Sequence, residues 1–122
     1  MPQIESLTVA ALTSALDAAS LRQQVIAANI ANAGRSDYAA QRVSFEATFA
    51  DHAARAGLDR RAPVELRMRI EPDLADDGSP RPIQLDAEVG ALTQNTTHYQ
   101  ALVRGLNRYL AVMASAVSEG KR

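Results

Sequence analysis

The chain has 122 residues, a formal net charge of −1, no cysteine, no tryptophan and 4% aromatic content. That length is one domain, spanning 1–122, and the charge balance gives no steering towards nucleic acid. The absence of cysteine removes disulfides, thiolate zinc sites and cysteine nucleophiles together.

The first predicted element is a long helix over residues 5–33. Its apolar positions step by three and four through Ile4, Leu7, Ala11, Ala18, Leu21, Val25 and Ala28, with Ser14 as the polar lapse. That is the 3.5-residue repeat of a helix packed along a coiled-coil seam. A second stripe, well round the helix, holds Val9, Leu12, Leu16, Ala19, Ile26 and Ile30, interrupted by Gln23. Ser6 is placed to cap the start and Gly34 to stop the end.

Residues 35–82 break the helical period and form a small irregular middle. Tyr38 to Phe45 suits an extended piece, and Phe45 to Ala54 a short helix. Val64, Leu66, Met68 and Ile70 alternate with charged residues, which predicts a half-buried strand ending at Pro72. A lone strand cannot stand alone, so it either pairs with the 38–45 segment or adds to a neighbour's edge. Residues 72–82 are rich in Asp, Gly and Pro and read as a charged, mobile loop.

The second long helix covers 86–119. Its stripe runs Val89, Leu92, Thr96, Tyr99, Val103, Leu106, Leu110, Met113, Val117, with Leu102, Tyr109, Val112 and Ala116 beside it. Asp86 is placed as its N-cap, with Leu85 packing back on the first turn. Gly120 is placed to end it, with Lys121 and Arg122 near the negative end of the dipole.

The expected fold is therefore mainly α. Long N- and C-terminal helices form an antiparallel coiled-coil-like pair around a middle containing short β segments. Two apolar stripes per helix exceed what one partner helix can cover, which favours assembly with other chains over a self-contained monomer. The expected interface is Leu7, Leu12, Leu16, Leu21, Val25, Ile26 and Ile30 on the first helix. On the second it is Val89, Leu92, Tyr99, Leu102, Val103, Leu106, Leu110 and Met113.

Asn29, Asn32 and Asn95 belong to the same expected interface, and two readings of them stand side by side. Asn29 and Asn95 are either exposed beside the seam or buried as amides that fix its register. Asn32 suits the end of a helix, where asparagine tolerates left-handed geometry.

Little else suggests chemistry. His52 and His98 have no second ligand at metal spacing, and Asp73, Asp76, Asp77 and Gly78 lack the ligand spacing of a calcium loop. Arg55, Arg60, Arg61, Arg67 and Arg69 interleave with acidic residues, as on a solvated mixed-charge face. No phosphate-binding glycine loop or nucleophile elbow occurs. The expectation is a protein that is not an enzyme and takes no cofactor and no metal. No apolar run reaches the ~20 residues of a membrane span, and the first residues lack the basic region of a cleaved signal peptide.

Arg22, Val25-Ile26-Ala27-Ala28-Asn29-Ile30-Ala31-Asn32, Tyr38 and Val43-Ser44-Phe45 resemble the N-terminal signature of bacterial flagellar basal-body rod proteins. The C-terminal part is similar as well, through Leu85-Asp86, Glu88, Leu92, Asn95, Tyr99-Gln100-Ala101-Leu102, Leu106-Asn107 and Leu110. One departure stands out. Where that family leaves the first helix through Thr-Pro-Gly-Tyr, this chain has Arg35-Ser36-Asp37-Tyr38.

The resemblance implies a structural subunit of the periplasmic flagellar rod, serving motility. It also implies type III export without a cleavable signal, pairing of the terminal helices and self-assembly. The implied partners are other rod subunits and basal-body or export-gate components, in a homo- and hetero-oligomer with no nucleic acid and no membrane span. The competing expectation is a stand-alone helical binding module, such as an export chaperone or adaptor.

Overall fold

The computed structural model describes the backbone of residues 2–46 and 67–120 and the side chains of residues 7–44 and 68–120. Within it, two long helices pack against each other, and a two-stranded ribbon lies between them in sequence. The helices are α1 (Pro2–Ala31) and α2 (Leu85–Glu119); the strands are β1 (Gln41–Glu46) and β2 (Arg67–Pro72). At 1.5 Å per residue the helices are about 45 and 52 Å long.

α1 begins earlier than the sequence suggested. Pro2 occupies the first turn, where its fixed φ suits a helix and its missing N–H is not needed. Ser6 therefore lies inside the helix rather than capping it. The helix ends at Ala31, and Asn32 N–H still reaches Ala28 O at 3.1 Å. Among the described residues only Gly78 has a positive φ, so neither Asn32 nor Gly34 ends the helix in the left-handed conformation. Instead Asn32 Nδ2 donates to Ala28 O at 2.8 Å and closes the last turn with a side chain.

The exit turn is built without the Pro-Gly pair of the resembled family. Arg35 N–H donates to Asn32 O at 3.0 Å, and Tyr38 N–H donates to Arg35 O at 3.3 Å. The Arg35 guanidinium bridges Asp37 at 3.1 Å and donates to Asn32 Oδ1 at 3.4 Å. An aspartate accepting from an arginine two residues back holds a turn that proline and glycine would otherwise shape.

β1 and β2 pair antiparallel, Gln41 opposite Pro72, Val43 opposite Ile70 and Phe45 opposite Met68. The strand finds its partner within the chain, at the 38–45 segment. Phe45 and Glu46 belong to β1, not to a helix. The rest of the expected short helix lies outside the described residues, as do Val64, Leu66, His52, Arg55, Arg60 and Arg61.

Pro72 closes β2 at a position that needs no donor. Gln41, its opposite residue, turns both backbone groups towards α1, and the next ladder bond runs from Asp73 N–H to Ala40 O at 2.9 Å.

Beyond Pro72 the charged segment folds back on itself. Leu74 bridges Pro80, Ala75 N–H donates to Ser79 O at 2.8 Å, and Arg81 N–H donates to Asp73 O at 2.9 Å. Gly78 supplies the one positive φ, 84°, that this reversal uses.

α2 starts at Leu85, one residue before expectation. Its N-cap is Gln84, extended at φ −101° and ψ 106° with no side-chain cap bond, so Asp86 sits in the first turn instead of capping it. There, with Glu88, it faces the positive end of the helix dipole. Leu85 is half exposed and does not close over the turn. Gly120 ends α2 in right-handed geometry, its N–H on Ala116 O at 3.0 Å.

The apolar core among the described residues is small: Ala18, Ala19, Val25 and Ala40. Two asparagines, Asn29 and Asn95, are buried with them.

Candidate functional site

The seam between α1 and α2 is polar where the end of α1 meets the start of α2. Asn95, 7% exposed, projects from the third turn of α2 and donates through Nδ2 to Ala19 O and to Gln23 Oε1, both at 2.8 Å. Gln23 in turn donates to Thr96 Oγ1 at 3.3 Å, and Thr96 donates to Leu92 O at 2.8 Å. Ala19 is fully buried, so only a methyl stands between the Asn95 amide and the α1 backbone.

Nearly three turns beyond Ala19 on α1, Asn29 makes a second junction. Its Nδ2 donates to Gln41 O at 2.9 Å, and its Oδ1 accepts from Gln41 N–H at 3.0 Å. The side-chain amide therefore pairs with a strand residue as a neighbouring peptide group would. The same Nδ2 lies 3.3 Å from Glu88 Oε2 on the first turn of α2. Asn29 joins α1, β1 and α2 at one point.

As residue numbers rise from 19 to 29 along α1, their partners fall from 95 to 88 along α2, which makes the pair antiparallel. No buried side-chain nitrogen or oxygen among the described residues lacks a partner. A polar seam is tolerable only under that condition, since an unpaired buried amide costs about 1–3 kcal/mol.

The expected interface residues fall into three groups. Val25, Asn29 and Asn95 are buried. Leu12, Leu16, Leu21, Ile26, Ile30, Asn32, Leu92, Leu102, Val103, Leu106 and Met113 are half-buried. Leu7, Val89, Tyr99 and Leu110 are exposed, from 41% at Tyr99 to 67% at Leu7.

The pairing surface on α1 is also not simply the Leu7–Ala28 stripe. Ala19 and Gln23 meet α2 directly, and Ile26 shares a groove with Ala91, Asn95 and His98. Ala11 and Ala18 line a cleft with Met68 of the ribbon. The register-setting reading of Asn29 and Asn95 gains geometry here, although they do not pair with each other. Gln23, which looked like a lapse in a stripe, is the partner the sequence reading missed. Its signal was a polar residue on an apolar row, the same signal that singled out Asn95.

The cleft under the ribbon, about 350 Å³, brings Ser14, Asp17 and His98 to one place, lined also by Arg22. None of the hydrogen bonds in the structure joins Ser14, Asp17 and His98, so they form no nucleophile–base relay. Among the described residues no group of three or more His, Asp or Glu side chains could hold a metal ion. Asp77 is set off its ordinary value of 3.8. It is held lower because Ser79 donates to it through its hydroxyl at 2.6 Å and its N–H at 3.0 Å. No helix described is long and apolar enough to cross a membrane.

Fold and site together define a mainly helical protein whose two long helices are held in antiparallel register by buried amides. Compared with known proteins, the chain matches no protein-family model and no curated sequence.

Proposed function

We propose that this chain is a structural subunit that assembles through its terminal helices, and specifically a subunit of the bacterial flagellar basal-body rod. Within that family it is most like the proximal rod protein FlgB, on the Tyr99-Gln100 and Leu106-Asn107 steps. The observation that carries the reading is the place of the Ala28-Asn29-Ile30-Ala31-Asn32 signature. Asn29 knits helix, strand and second helix together, and Asn32 closes the helix end. A signature spent on architecture suits a building block. The apolar side chains left exposed on both helices supply the surface that such a block offers to neighbours.

The implied setting is the periplasmic rod, reached by type III export. Expression of a tagged chain in its own bacterium tests this. The tag is expected in purified basal bodies, and deletion of the gene is expected to leave cells non-motile and without hooks. A tagged chain confined to the cytoplasm as a discrete dimer, in cells that still swim after deletion, would instead support an export chaperone or adaptor.

A further inference from the structure

Glycine follows an aspartate or asparagine once in the chain, at Asp77-Gly78. The pair lies at the tip of the reversal between β2 and α2, where Asp76 to Pro80 are all exposed. Gly78 is required there by its φ of 84° and not by space, since a Cβ would meet nothing within 4 Å. With no side chain beside it, the Gly78 nitrogen is open to the carboxyl group that precedes it.

Aspartate before glycine has a reaction of its own. The Gly78 nitrogen attacks Asp77 Cγ and closes a succinimide ring. The N–Cγ bond forms and a Cγ–O bond breaks. The hydroxyl of the protonated carboxyl leaves with the amide hydrogen as water. Solvent water then reopens the ring. Attack at Cγ restores aspartate; attack at the main-chain carbonyl carbon of Asp77 gives isoaspartate, with the backbone rerouted through Cβ. No oxidant, reductant or cofactor enters.

The turn holds that reaction back at both reacting groups. Ser79 Oγ donates to Asp77 Oδ1 at 2.6 Å, and Ser79 N–H donates to the same oxygen at 3.0 Å. The first is as short as a charge-assisted O–H···O⁻ bond. Such bonds favour the ionised carboxylate, the hydroxyl's more than the N–H's, and the ionised form is the unreactive one. The attacking nitrogen is engaged too, because Gly78 N–H donates to Ala75 O at 2.9 Å. Below the tip, the bond from Ala75 N–H to Ser79 O and the bridge between Leu74 and Pro80 fix the reversal.

We propose that Asp77-Gly78 is a latent isomerisation site, and that the Ser79 hydroxyl keeps it closed while the turn is folded. Opening the turn frees nitrogen and carboxyl together. Isomerisation then adds a methylene to the main chain between Asp77 and Gly78, so the turn does not close again on the same bonds. The connection from β2 to α2 thereby keeps a covalent record of having opened. The terminal helices take no part, so the inference stands apart from the rod-subunit reading.

Isoaspartate formation in the full chain tests it. The protein is incubated warm at mildly acidic pH. Enzymatic methylation counts isoaspartate, and electron-transfer fragmentation places it, since the mass does not change. Folded wild type is expected to isomerise several-fold more slowly than the same chain in guanidinium chloride. Folded Ser79→Ala is expected to isomerise several-fold faster than folded wild type, at residue 77. Ser79→Thr restores a hydroxyl and is expected to stay at the wild-type rate, which separates loss of the hydroxyl from a general loosening of the turn. Circular dichroism checks that the helices persist in each variant. Folded wild type as fast as the unfolded chain, Ser79→Ala no faster than wild type, or Ser79→Thr as fast as Ser79→Ala would each overturn the proposal.

Discussion

Replacing Asn95 separates a seam that reads hydrogen-bond donors from one that reads only shape. Asn95→Asp is nearly isosteric but removes both donations, to Ala19 O and Gln23 Oε1, each 2.8 Å long. Two net hydrogen bonds are worth about 2 kcal/mol. The new carboxylate also faces two oxygens at a site only 7% exposed. Gln23 can turn its amide round and donate, at the expense of its bond to Thr96; the Ala19 carbonyl cannot turn. The net cost is about 3–4 kcal/mol at neutral pH.

Asn95→Leu loses the same two bonds, but its added apolar burial offsets part of that loss, the Ala19 carbonyl keeps its own helical hydrogen bond and Gln23 keeps Thr96, so it costs about 1 kcal/mol. Burial against two acceptors raises the introduced carboxyl's pKa in the folded state above its unfolded value of about 3.9. The destabilisation is therefore fully present above the folded pKa and shrinks as pH falls through it towards the unfolded one. Urea unfolding followed by circular dichroism at several pH values measures this. Equal losses for the Asp and Leu variants at neutral pH would refute the reasoning, because the seam would then be indifferent to what Asn95 donates.

Asn29→Ala removes three hydrogen bonds at once and is expected to destabilise the fold by about 2–3 kcal/mol, with amide exchange at Gln41 speeding in step. Unchanged exchange at Gln41 would show that the ribbon is held elsewhere. Leu106→Asp places a carboxylate on the half-buried side of α2 and is expected to abolish assembly, at several kcal/mol unless the group protonates. Normal swimming of a strain complemented with it would count against the seam. The Asp77 turn should be pH-sensitive in the acid range. Because the folded pKa is depressed, its contribution is present above the unfolded value and is lost as pH falls through the folded one. Protection of the Ser79 amide from exchange should fall there in wild type and show no such step in Asp77→Ala, with the helices unaffected in both. A pH step that survives Asp77→Ala would assign the titration to another group.

The two helices and the antiparallel pairing were legible in the sequence because the three-four spacing is long and little interrupted. The strand pairing was legible too, as one of two outcomes for an alternating segment. The ends were not. Capping depends on which backbone groups lack partners, and Asp86 and Ser6 each had a good cap one or more residues away from where the helix begins. Nor could spacing say which stripe of α1 meets α2, since both stripes have the right period and the bond from Asn95 goes to Ala19 of the second one. Asn29 stood out as a polar residue in an apolar turn, but its partner is a backbone group twelve residues on, and no side-chain pattern reports that.

The separation of these contacts along the chain orders their formation. Asn29 reaches Gln41 across 12 residues, Glu88 across 59, while Asn95 reaches Ala19 across 76. Closing the 59-residue loop costs about 1.4 kcal/mol more entropy than closing the 12-residue one. The first helix and first strand can therefore clasp early, while the rest of the chain is still unstructured, and α2 arrives on a surface already shaped. In refolding kinetics, Asn29→Ala should then slow folding, and Asn95→Leu should chiefly speed unfolding. A chain delivered N-terminus first would thus carry its own template for the helix that comes last.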